Sequence, residues 1–163
     1  MDSVVHTLQG KHHYWAPLTE PGVLAPYIEA SVARLAEPDV PRFDGFVVRG
    51  ASGLLVGPIL AVRLGKALAV VRKERNPHDA GNIRLVLGSI GRTWVFLDDF
   101  ICGGNTLHQC VKHIQALELD QRGQCIGALL YKWTIKRENI SDLLHIGAHG
   151  RGWLSYETLR EMY

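Results

Sequence analysis

Two adjacent carboxylates, Asp98 and Asp99, stand where an apolar run meets a glycine-rich turn, in Trp94-Val-Phe-Leu-Asp98-Asp99-Phe-Ile-Cys102-Gly103-Gly104-Asn105-Thr106. Carboxylates at the end of a buried strand can accept hydrogen bonds from sugar hydroxyls. The turn that follows offers backbone N–H groups close to a helix start, which makes a seat for a phosphate. After Thr106, apolar residues recur at Leu107, Cys110, Val111, Ile114 and Leu117, the spacing of one helix face. Strand, turn and helix thus set two acids beside a phosphate seat, and a sugar phosphate is the ligand that uses both. Taken alone, the pattern also describes an ordinary strand-to-helix turn whose aspartates cap the helix.

A second turn of this kind lies upstream. Phe43-Asp-Gly-Phe-Val-Val-Arg49-Gly50-Ala51-Ser52-Gly53 leads into the apolar stretch Leu54–Leu64, and Gly50 and Gly53 permit positive φ and close approach to an anion. Next, Gly65–Val71 runs into Arg72-Lys73-Glu74-Arg75-Asn76-Pro77-His78-Asp79-Ala80-Gly81-Asn82. The polar stretch Arg75–Ile83, with Pro77 and Gly81, reads as a mobile lid, although most short charge runs are solvated surface.

In their order, these three segments resemble the type I phosphoribosyltransferases. Asp98, Asp99, Gly104 and Thr106 match that family's phosphoribosyl pyrophosphate (PRPP) motif. Gly103 stands where Thr or Ser is usual, and Cys102 falls where some purine enzymes carry a catalytic Asp. Arg49–Gly53 looks like the family's pyrophosphate loop. Arg72, Lys73, Glu74 and His78 keep the relative positions of the catalytic loop of orotate phosphoribosyltransferases, with Asn76 replacing a Lys of that loop.

The resemblance implies transfer of the 5-phosphoribosyl group of PRPP to a nucleobase, with Mg2+ as cofactor and release of pyrophosphate. Orotate is slightly favoured as the base, on the loop alone. Asp98 and Asp99 would hold the ribose hydroxyls, directly or through metal-bound water. Cys102, Gly103, Gly104, Asn105 and Thr106 would grip the 5′-phosphate. Arg49, Gly50, Ala51, Arg72 and Lys73 would face the pyrophosphate, and Lys73 and His78 join the two aspartates as the catalytic set. Tyr131 and Trp133 lie where family members contact the base. A ring there can stack on a base, while core packing is the commoner role. Lys132 between them reads as solvated. His12, His13 and Trp15 fit a hood over the base. A homodimer in the cytoplasm completes the expectation, and a non-catalytic PRPP sensor on the same fold is the alternative.

The elements that position these residues follow from hydrophobic period. Strands are expected at 44–49, 67–72, 84–88, 94–98 and 124–131, several of them continuous apolar runs of the kind covered on both faces. Helices are expected from Pro26 to Glu37, at 53–64 and at 105–119, with a short one at 156–162 capped by Ser155. This alternation predicts an α/β domain over residues 1–163: a mainly parallel, doubly wound sheet flanked by helices, with a small hood from the terminal segments. Ligands in such sheets bind outside the carboxyl ends of the strands, where both glycine turns converge.

Composition sets the outer bounds. At 163 residues, 47% apolar and 21% charged, the chain reads as an ordinary globular domain. Its net charge of +2 and lack of a broad basic stripe argue against a nucleic-acid partner. No apolar run reaches membrane-span length, and the start of the chain lacks a signal-peptide pattern. Cys102, Cys110 and Cys125 show no Cys-x-x-Cys spacing, which suits a reducing compartment. His145 and His149 are four apart, but Gly147 and Gly150 argue against the helix a metal pair would need. Gly50 and Gly53 are not placed symmetrically about Ser52 as a nucleophile elbow requires, and neither a P-loop nor a dinucleotide fingerprint is present.

Overall fold

A computed structural model of the chain describes residues 20–72, 86–101, 103–133 and 152–162. Four strands form its parallel centre: β1 (Gly45–Val48), β2 (Ala67–Val71), β4 (Thr93–Asp98) and β5 (Gln124–Leu130). Short antiparallel strands, β3 (Val86–Gly88) beside β2 and β6 (Trp153–Ser155) beside β5, close the two edges. The spatial order is β3-β2-β1-β4-β5-β6. Strand order therefore reverses between β1 and β4, and the crevice at that reversal is where a doubly wound sheet takes its ligand.

Alternation along the strands fills a core on each face. Phe46, Val48, Val95, Leu97 and Leu129 point to one side, where α1 (Pro21–Leu35) and α2 (Ala51–Leu64) cover them with Tyr27, Ile28, Val56 and Leu60. Val47, Trp94, Phe96, Ala128 and Leu130 point to the other. There α3 (Asn105–Gln115) contributes Leu107, Cys110 and Ile114, and α4 (Tyr156–Met162) contributes Leu159. Burial on both faces explains why these strands read as unbroken apolar runs. Cys110 and Cys125 are packed inside as free thiols, and burial pushes each up to about 12.

Several boundaries differ from the expectation. α1 starts at Pro21, so Pro26 lies inside the helix. Its missing N–H leaves only the exposed Gly22 carbonyl without a helical donor, and water can serve that group. α2 starts at Ala51, two residues early, which places Gly53 within the helix and not in the turn. α3 stops at Gln115, and a 3-10 turn at Leu119–Gln121 leads into β5. Of the segments expected to form a hood, 152–162 instead adds β6 and α4 to the sheet. Ser155 caps α4 as expected, its Oγ accepting from the Thr158 N–H at 3.2 Å. Residues 1–19, with His12, His13 and Trp15, lie outside the described residues, as do His145 and His149.

Candidate active site at the reversal of strand order

Both helix starts at the reversal are led by a glycine in a conformation that disfavours a side chain. Gly50 precedes α2 at φ 90° and Gly104 precedes α3 at φ 69°. No described side chain caps either helix, so Asp98 and Asp99 are not capping residues. The first-turn N–H groups of α3, at Asn105 to Leu107, have no partner within the helix and carry its positive dipole end. A cavity of about 460 Å³ opens there, lined by Arg49, Ser52, Asp98, Asp99 and the turn from Gly103 to Thr106, among others.

The acidic pair is buried: Asp98 is only 6% exposed and Asp99 1%. β4 carries them to the floor of the crevice, and each has its own neighbour. Asp98 Oδ1 accepts from Ser52 Oγ at 2.5 Å and from the Asp99 N–H at 2.9 Å. Asp99 Oδ2 faces the Lys132 ammonium at 3.5 Å. Burial raises the Asp98 carboxyl to about 7; the Ser52 hydroxyl opposes that rise, and the Asp99 carboxyl adds to it. Lys132 is therefore not a solvated lysine but the cation paired with a buried carboxylate.

Seven of the expected residues meet at this cavity: Arg49, Asp98, Asp99, Gly103, Gly104, Asn105 and Thr106. Gly50 and Ala51 form the adjoining turn at the start of α2. Arg72 directly follows β2, whose last residue paired with β1 is Val70 opposite Val48, and it is not among the residues lining the cavity. Lys73, His78 and Cys102 lie outside the described residues. Trp133 ends a 3-10 turn that begins at Tyr131, and its side chain is likewise outside the description.

Tyr131 requires a correction. Its ring is fully buried, edge-on to Tyr27 with centroids 6.2 Å apart, and its hydroxyl donates to the Ser52 carbonyl at 3.2 Å. No ring face is open to a base, because the core claims it. Ser52 itself was passed over in the sequence, where it was weighed only as a nucleophile. Its partner lies 46 residues away, and no local pattern announces such a contact.

Asp98 and Asp99 offer hard oxygen donors, and no group of three His, Cys, Asp or Glu converges among the described residues. Such a donor set fits Mg2+ held chiefly by phosphate oxygens and steadied by one or two carboxylates.

Sheet order, flanking helices and the site at the reversal define a type I phosphoribosyltransferase-like fold. Solved structures bear this out. Orotate phosphoribosyltransferase from Aeropyrum pernix superposes with a TM-score of 0.54 at 21% identity, over 69% of this chain and 60% of that one. Adenine phosphoribosyltransferase from Saccharomyces cerevisiae, solved with adenine and an imino-altritol bisphosphate, gives 0.51 at 19% identity over 73% and 78%. The adenine enzyme from Thermoanaerobacter pseudethanolicus gives 0.50 at 21% identity, over 69% of each chain. The chain thus spans less than two thirds of the length of the Aeropyrum pernix protein. Its sequence matches no protein-family model and no curated protein.

Proposed function

We propose that this protein is a Mg2+-dependent phosphoribosyltransferase that transfers the 5-phosphoribosyl group of PRPP to a nitrogen of a nucleobase. One observation carries the reading: two buried carboxylates and two glycine-led helix starts meet at the point where strand order reverses. In the reaction the C1–O bond to pyrophosphate breaks and its electron pair leaves with pyrophosphate. A C1–N bond forms to the base, which gives up its proton. Positive charge builds on the ribose ring and negative charge on the leaving group, so catalysis rests on positioning and charge stabilisation.

The α3 start receives the 5′-phosphate, and Asp98 and Asp99 accept from the ribose hydroxyls. Arg49 and the Gly50 turn face the pyrophosphate in this reading, and Arg72 joins them as a further cation. Bound Mg2+ would neutralise charge on the pyrophosphate oxygens, with Asp98 and Asp99 as its protein-side support, directly or through water. Lys73 and His78 belong to the same proposal as cations that close over the leaving group, as does assembly into a homodimer. Among bases orotate stands slightly ahead, on the Arg72–His78 pattern alone. Both orotate and adenine enzymes share this fold, so the fold itself does not choose.

The test is release of pyrophosphate from PRPP and Mg2+ with a panel of bases: orotate, uracil, adenine, hypoxanthine, guanine and xanthine. Release with one base supports the enzyme. Binding of PRPP with no release from any base would instead support a sensor, and absence of both would end the reading.

A further inference from the structure

We infer that Tyr131 and Ser52 are positioning residues that hold Asp98 in place against the pyrophosphate turn, an assignment that rests on the phosphoribosyl-transfer reading above. Ser52 lies in the first turn of α2, yet its hydroxyl does not cap that helix. It reaches across the crevice to Asp98 Oδ1 at 2.5 Å. The same oxygen accepts the Asp99 N–H at 2.9 Å. With both hydrogen bonds on one oxygen, the plane of the carboxyl is fixed and its other oxygen is directed.

Ser52 is in turn held from behind. The Tyr131 hydroxyl donates to the Ser52 carbonyl, and the Tyr131 ring is locked in the core against Tyr27. Beside it, Gly53 allows α2 to lie directly on β4: a Cβ there would stand 2.9 Å from both the Leu97 carbonyl oxygen and Val48 Cβ. The ends of β4 and β5 thus meet at Ser52, and Val48 at the end of β1 packs against the neighbouring Gly53. The Ser52 hydroxyl has a single proton to donate, and Asp98 takes it. Ser52 is therefore an aligner of the carboxyl, not a donor to a phosphate.

An acceptor that must follow the ribose as its ring flattens is sensitive to small errors of alignment. Loss of the aligner then slows the chemical step more than it weakens binding of PRPP. Steady-state kinetics of pyrophosphate release with the accepted base reads this directly. Ser52→Ala should lower kcat by roughly tenfold with the KM for PRPP within about twofold, while Ser52→Thr, which keeps the hydroxyl, should stay within about threefold of wild type. Tyr131→Phe, which removes one oxygen inside the core, should fall between them, and it carries the test if Ser52→Ala melts early.

Unchanged kcat in Ser52→Ala and Tyr131→Phe, with an active wild type, overturns this inference and leaves the proposed reaction standing. A Ser52→Thr protein as slow as Ser52→Ala also overturns it, since side-chain size and not the hydroxyl would then be what matters. A wild-type protein that releases no pyrophosphate with any base removes the reaction, and the inference with it.

Discussion

Asp98 and Asp99 are neighbours in sequence that look toward different partners, a hydroxyl for one and an ammonium for the other. Substituting both by Asn keeps their shape while removing the negative charge. We expect Asp98→Asn with Asp99→Asn to abolish PRPP turnover with the far-ultraviolet circular dichroism unchanged; near-normal turnover would detach the acidic pair from the chemistry. Burial also gives Asp98 a signature in stability. Its carboxyl titrates near 7 when folded and near 3.8 when unfolded, so between those values the folded chain holds a proton that the unfolded chain has released. Stability from this group therefore falls as pH rises from about 4 to about 7 and is flat above. Urea titrations should show that slope in wild type and lose it in Asp98→Asn. An unaltered slope would assign it to another group. The sequence marked both aspartates because an apolar run, two acids and a glycine turn are all local. Lys132 reads as an ordinary surface charge there, because its partnership depends on β4 and β5 lying side by side.

At the scale of elements, two turns do the work, and their glycines act differently. Gly50 and Gly104 are required by backbone angle, whereas Gly53 is required by space. Gly53→Ala would drive a methyl group into β4, so we expect it to destabilise the fold by about 1–3 kcal/mol. Because it also lifts Ser52 from Asp98, turnover should drop in the same variant. Gly103→Ala is the contrast: its Cβ meets open space, and the melting temperature should not move. Equal melting temperatures for the two variants would show that α2 is not seated as closely as described. Both turns and the helices after them were legible from period and glycine placement. The start of α1 was not, since Pro21 and Pro26 both suit a first turn and only packing of Val23 and Leu24 against the core decides between them. β6 was missed because Trp153–Ser155 is too short for any period to show.

For the molecule as a whole, one sheet separates two apolar layers, each with its own pair of helices. Leu60 of α2 and Ile114 of α3 are both buried, on opposite sides. Leu60→Ala and Ile114→Ala should each cost about 2–5 kcal/mol, and the double variant should cost their sum to within about 0.5 kcal/mol. A coupling above about 1 kcal/mol would show that the layers communicate through the sheet. The parallel centre was legible because continuous apolar strands alternate with helical spacing. The spatial order was not: nothing in the residues of β1 and β4 states that they are neighbours, and the reversal between them makes the site. A practical consequence follows from the two thiols sealed in the core. Only three cysteines occur in the chain, and burial makes Cys110 and Cys125 slow toward any electrophile. Modification of these two thiols by a small electrophile should therefore wait on opening of the fold. The unaltered protein thus carries its own chemical clock for unfolding, read from the slow labelling of Cys110 and Cys125.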